Sequence, residues 1–192
     1  MADVCVLPEY ADTHLTRQLR AFYTEDCLRH LLIPLIDQTS VVSLRTLDWL
    51  CVNLSKRDNI VCSKPDGGLC NIYNDYKVAL SVYRRASFDP LRRRTRGTVR
   101  LDGMEYVTTL GQCNFVYWAW THGVLQYARQ HASLIECDMN AFSSAHRSEL
   151  RDCRRQGRKR KRCSLSARGR SVCRIYAAPT RETFDLLELG DA

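Results

Sequence analysis

The sequence predicts a mostly helical α+β fold: a single compact domain over residues 10–140, in which one β-hairpin at 98–107 packs on a central helix, followed by a basic C-terminal extension. Three observations carry this. Asp102-Gly103 sits between two alternating runs, as a two-residue turn with φ > 0 at its centre requires. Phe115 to Trp120 is apolar at every position, so a helix built there must be surrounded by other elements. Three amphipathic stretches upstream provide those surroundings.

In chain order, Leu15, Leu19, Phe22, Cys27, Leu28, Leu31 and Leu32 recur at helical spacing over 11–32, and Pro34 is expected to end or kink that helix. Leu44, Leu47, Leu50, Cys51 and Leu54 mark a second helix, with Ser55 to Asn59 as its polar exit. Ile60-Val61-Cys62 favours a short strand ahead of the turn-rich SKPDGG. Asn71 caps a third helix striped with Ile72, Tyr73, Tyr76, Ala79, Leu80 and Tyr83. Those tyrosines could stack on bases, but packing into the core is the favoured reading. Asp89-Pro90 stops the helical text, because the residue before a proline avoids the α region.

In the hairpin, Leu101 should face Met104, Arg100 should face Glu105 and Val99 should face Tyr106. The four apolar side chains then share one face and the opposite charges meet on the other. Thr109-Leu110-Gly111-Gln112 reads as a capping box opening the central helix, with Trp118 and Trp120 assigned to the core. Gly123 kinks or ends that helix, and further helical segments follow over 124–135 and 141–151. Residues 147–174 read as a basic arm, and 175–192 as a short tail, with a final strand at 172–176 and a last helix capped by Thr180.

Charge is strongly segregated. Residues 84–100 hold seven arginines and one Asp, a net +6, and residues 147–174 hold twelve Lys/Arg and two acids, a net +10. The whole chain is +8, so the remaining residues sum to −8. Two basic blocks on a mildly acidic body are the footprint of a polyanion-binding surface. No apolar stretch approaches the ~18 residues that span a bilayer, and MADVCVLPEY lacks the features of a signal peptide, so the expectation is a soluble protein made in the cytosol, with no membrane partner. The ten cysteines contain no C-x-x-C pair and are expected to be free thiols, several buried. The best metal candidates, Cys153, Cys163 and Cys173 with His146, have a spacing that matches no zinc module.

Several segments together carry a resemblance. They are Trp49 with Asn53, Ser55-Lys56 and Asn59; Asn71-Ile72-Tyr73 with Tyr76-Lys77; Phe88-Asp89-Pro90 followed by arginines; Thr108-Thr109-Leu110-Gly111-Gln112 with Asn114-Phe115 and Trp118-Ala119; Asp138-Met139-Asn140; and the basic run before Leu165-Ser166. In that order they resemble an uncharacterised protein family of nucleocytoplasmic large DNA viruses, over roughly residues 44–176. The resemblance implies a viral origin and a reducing host cytoplasm, and no mechanism.

Enzymatic classes fare poorly. There is no phosphate-binding G-x-x-x-x-G-K-[ST] loop, no dinucleotide fingerprint and no H-E-x-x-H, so no catalytic residue, metal ligand or cofactor is assigned. A nuclease could still assemble a metal site from distant carboxylates such as Asp37, Asp48, Asp75 and Asp138. The favoured reading is non-enzymatic, sequence-tolerant binding of DNA or RNA phosphates by Arg92, Arg93, Arg94 and Arg96 and by Arg154, Arg155, Arg158, Lys159, Arg160, Lys161 and Arg162. The alternatives are a virion assembly protein, or a host-directed factor whose ligand is an acidic viral or host protein. Location is then host cytoplasm or virion, with nuclear entry through Arg158–Arg162 as a further role of that run.

Overall fold

The computed structural model describes residues 5–91 and 96–155, with 149–155 as backbone alone. The described residues form a mostly helical α+β fold with two small antiparallel sheets. Strand β1 is Cys5–Val6 and helix α1 is His14–Phe22. Helix α2 covers 25–36, running from Glu25–Cys27 through a π turn at Leu28–Leu32 to Ile33–Ile36. Helix α3 covers 44–58 in the same manner: Leu44–Trp49, a π turn at Leu50–Leu54, then Ser55–Asp58. Strands β2 (Val61–Ser63) and β3 (Leu69–Asn71) precede α4 (Ile72–Val82). Strands β4 (Gly97–Leu101) and β5 (Met104–Thr108) lead into α5 (Leu110–Thr121), α6 (Val124–Gln130) and α7 (Ala132–Arg155).

The stretch expected as one helix over 11–32 is two helices. Thr13 and Thr16 cap α1 reciprocally, with Thr13 N–H donating to Thr16 Oγ1 at 2.8 Å and Thr16 N–H to Thr13 Oγ1 at 3.3 Å. Tyr23 then leaves the helix so that its hydroxyl donates to the Cys113 carbonyl at 2.7 Å in the core, and Thr24 caps α2. Pro34 does not end α2. A proline has no N–H for the carbonyl four residues back, here His30, and the chain inserts a π turn in which Ile33 N–H bonds Leu28 O. The His30 carbonyl instead receives Arg129 Nη2 of α6 at 3.4 Å.

The hairpin has the expected register, with Leu101 opposite Met104, Arg100 opposite Glu105 and Val99 opposite Tyr106. Asp102 and Gly103 take φ of 53° and 73°, the left-handed pair that a tight hairpin turn requires. Two corrections apply. Met104 is 61% exposed although Leu101 on the opposite strand is buried, so the shared apolar face is covered on the β4 side only at this rung. Strand β5 lies against the 33–36 end of α2, while α5 lies against α1, α2 and α6. Arg29 of α2 holds the turn through Asp102 Oδ2 at 2.7 Å. Strand β1 lies on the other edge of β4, a pairing absent from the sequence expectation.

Helix α5 is the buried centre: Cys113, Phe115, Val116, Trp118 and Ala119 are all in the core. Trp120, assigned to the core from sequence, is 38% exposed: it lies near the end of α5, one turn before the break at Gly123, while Trp118 and Ala119 beside it are buried. Thr109 caps α5 through Gln112 N–H at 3.1 Å, but the Gln112 side chain does not complete the box. Helix α7 packs on α3, where Asp138 accepts Trp49 Nε1 at 2.8 Å and pairs with Arg57 Nη1 at 2.7 Å. The strand expected at 172–176, the helix after Thr180 and the body of the basic arm lie outside the described residues.

Candidate nucleic-acid interface

After α4 the chain turns back across the N-terminal half of α5, and buried polar groups hold it there. Asn114 Nδ2 donates to the Ser87 carbonyl at 2.7 Å, and Gln112 Nε2 donates to the Pro90 carbonyl at 3.2 Å. Asp89 N–H bonds the Gly111 carbonyl at 3.2 Å, and Leu91 N–H bonds Asp89 Oδ1 at 2.9 Å. Gly111 makes this approach possible, because a Cβ there would meet Asp89 N at 3.0 Å and the Ala86 carbonyl at 3.3 Å. Between these bonds Phe88 is driven into an aromatic cluster, with ring centroids 5.7 Å from Tyr76 and Phe115 and 5.8 Å from Trp118. The Gln112 amide expected to cap its own helix is spent on this clasp.

The far end of the first basic block is held as firmly. Gly97 opens β4 against Tyr10 and Leu7, which a Cβ would meet at 2.6 and 2.9 Å. Thr98 donates both its N–H and its hydroxyl to the Glu9 carboxylate. Burial alone would raise that carboxyl, but the Thr98 bonds and the Arg100 charge outweigh it and hold Glu9 below the usual range. Of the assigned site residues, Arg96 is exposed at the start of β4, while Arg92, Arg93 and Arg94 lie outside the described residues. Arg84 and Arg85 are exposed on the near side of the clasp. Arg100 adds little to a ligand, because its guanidinium already meets Glu105 at 2.6 Å.

The second block begins on α7. Arg147 is exposed, and Arg154 and Arg155 are on the last helical turn, where only the backbone is described. Arg158, Lys159, Arg160, Lys161 and Arg162 lie outside the described residues, as do Cys163 and Cys173. The structure therefore does not bring the two blocks together within its described part.

The α4 tyrosines follow the core reading at Tyr76, which is buried; Tyr73 lies between Lys56 and Lys77, 5.8 and 5.6 Å from its ring centroid. One group of polar side chains lies elsewhere. Cys62 and Cys70 are directly opposed across β2 and β3, and Cys62 Sγ lies 3.5 Å from the His122 carbonyl. A hydrogen bond from Cys70 lowers the Cys62 thiol and raises its partner's. Among the described residues no three His, Cys, Asp or Glu side chains gather to hold a metal ion.

Sequence reasoning missed the clasp itself. Its signal was present, because Phe88-Asp89-Pro90 and Thr108–Phe115 are both among the segments that carry the resemblance, and these two segments are in contact. A family model described as a family of unknown function (DUF7197) matches residues 6–166. The chain belongs to that family. The DUF7197 match takes in Val6 of β1, the clasp and the basic run through Arg162. The chain is also 26% identical over 134 residues to "Uncharacterized protein L507" of Acanthamoeba polyphaga mimivirus, a similarity covering 65% of this chain and 52% of that protein. The chain thus spans about half the length of the curated relative it matches. No solved structure matches.

Proposed function

We propose that this DUF7197 chain is a non-enzymatic, sequence-tolerant nucleic-acid-binding protein of a large DNA virus. One observation carries the reading: net charges of +6 over 84–100 and +10 over 147–174 on a remainder of −8. In this reading Arg92, Arg93, Arg94 and Arg96 contact phosphates, and the bonds that hold the described residues on either side, the clasp before Arg92 and the Glu9–Thr98 bonds after Arg96, support it. Guanidinium forks suit phosphate oxygens, and flanks that are already tied down lower the entropy lost on binding. The basic extension through Arg162 follows the backbone as an arm. Such contacts release counterions and read little sequence.

The test is a salt titration of full-length protein with duplex and single-stranded DNA, repeated with Arg92–Arg94 changed to Gln and with Arg158–Arg162 changed to Gln. Each phosphate contact adds about −0.9 to the log–log salt slope on duplex. Each variant should flatten the slope by one unit or more while its melting temperature stays near the wild-type value. Absence of binding at ~50 mM salt, where phosphate contacts are strong, sinks the proposal. So does full binding after both blocks are neutralised.

A second reading, assembly within a virion, has its own support. Val78 and Val82 lie one turn apart on α4 and are 60% and 69% exposed, an apolar pair that a coat partner could cover.

A further inference from the structure

Helices α3 and α7 enclose an open hollow of about 550 Å³, lined by Arg45 and Trp49 from α3 and by Phe142, Ser143, His146 and Arg147 from α7. We propose that this hollow is a subsite for an unpaired base of single-stranded nucleic acid, with its flanking phosphate. The inference deepens the nucleic-acid reading above and rests on it.

The aromatic groups form a stepped platform. Trp49 and Phe142 have ring centroids 5.0 Å apart, tilted by 52°, and Phe142 and His146 are parallel to within 7° at 6.2 Å. Phe142 and His146 are one helical turn apart, so both rings project from the same face of α7. Trp49 is fixed by its bond to Asp138 Oδ2, which is itself neutralised by Arg57. All three rings are half-buried, leaving π faces accessible to a planar ligand.

The charge suits one kind of ligand. Arg45 and Arg147 stand in the lining, and no carboxylate is among its described lining residues. Arg147 is braced by its own helix, donating from Nε to the Ser143 carbonyl at 3.1 Å, which leaves its remaining N–H groups for an anion. His146 Nδ1 is buried with no hydrogen-bond partner among the described residues, so the ring contributes its π face to the lining and not that nitrogen. Aromatic faces beside cationic side chains are the means by which proteins hold single strands without reading their sequence. A duplex keeps its bases stacked inside and cannot use such a platform. Helix α7 then runs on to Arg155, so the same helix that lines the hollow carries the first arginines of the second block.

The experiment compares full-length protein on a single-stranded oligonucleotide and on an abasic strand with the same number of phosphates. The wild type should bind the ordinary strand roughly ten-fold more tightly, the scale of one base–aromatic stack. Phe142→Leu retains an apolar contact with Trp49 but has no π face, and it should bring the ratio of the two affinities close to one. Phe142→Ala, checked by its melting curve, should do the same. Equal wild-type affinity for the two strands overturns the base subsite and leaves the phosphate reading standing. A ratio unchanged by Phe142→Leu also overturns it. Failure to bind either strand overturns both.

Discussion

His122 closes α5 with its ring stacked on Trp118 at 5.0 Å and its Nδ1 bonded to the Trp118 carbonyl at 2.9 Å. Burial disfavours the imidazolium there and lowers its titration below the ordinary 6.5. A histidine lowered in the folded state binds fewer protons than in the unfolded chain between the two values, so stability rises with pH across that interval. Its contribution is complete above about pH 6.5 and is lost as pH falls. Melting temperatures of wild type and His122→Gln should therefore differ most near neutrality and converge toward pH 5. A gap independent of pH would reject this account. The neighbouring Gly123 has φ of 72°, and a Cβ on it would stand 2.0 Å from the Ser63 carbonyl. Gly123→Ala must both hold a left-handed backbone and push the β2–β3 hairpin away, at a cost of about 3 kcal/mol or more, measurable by urea unfolding. Gly123 was legible as a break in the helix. That the break exists so that a distant hairpin can pack there was not, because the sequence carries no mark of a contact 60 residues away.

At the scale of elements, legibility followed locality. The β4–β5 register could be read rung by rung because a two-residue turn imposes it. The start of α5 was equally plain at Thr109. Strand β1 was invisible, since two residues have no periodicity to detect and are fixed by long-range partners, β4 foremost. Yet Val6 and Leu7 are buried, and their carbonyls accept Arg20 Nε at 3.2 Å and Nη2 at 3.1 Å. Removing residues 1–7 should destabilise the fold by about 4 kcal/mol, from ~1.5–3 kcal/mol for each buried aliphatic side chain. The urea midpoint would fall, and an unchanged midpoint would show that β1 is dispensable. Helix α2 misled for a different reason. Proline was expected to end or kink the helix, and the π turn with Arg129 on the vacated His30 carbonyl keeps the helix going in distorted form. The side chain that compensates comes from α6, about a hundred residues downstream.

Across the whole molecule, the clasp, the hollow and the charge blocks depend on distance in different ways. The blocks are contiguous in the chain, so net charge and the expected salt dependence were available from composition alone. The described thiols also follow from composition and burial together: Cys51, Cys62, Cys70 and Cys113 are buried, and burial pushes Cys113 up to about 12. The candidate base subsite was not available, because Arg45 and Trp49 are nearly a hundred residues from Phe142 and His146 and meet only when α7 folds onto α3. Each pair has helical spacing, but spacing says which residues share a face and not what that face meets. By itself, the sequence determined the helical α+β class, the hairpin register and the two basic blocks, since these arise from hydrogen bonds, side-chain periodicity and charge within short stretches. Only the tertiary structure decided that Gln112 would clasp Pro90 rather than cap its own helix, that Pro34 would sit inside one, and that aromatic and cationic side chains would share a hollow. Each of those outcomes is a competition between local and long-range partners, and burial of the long-range contact settles it.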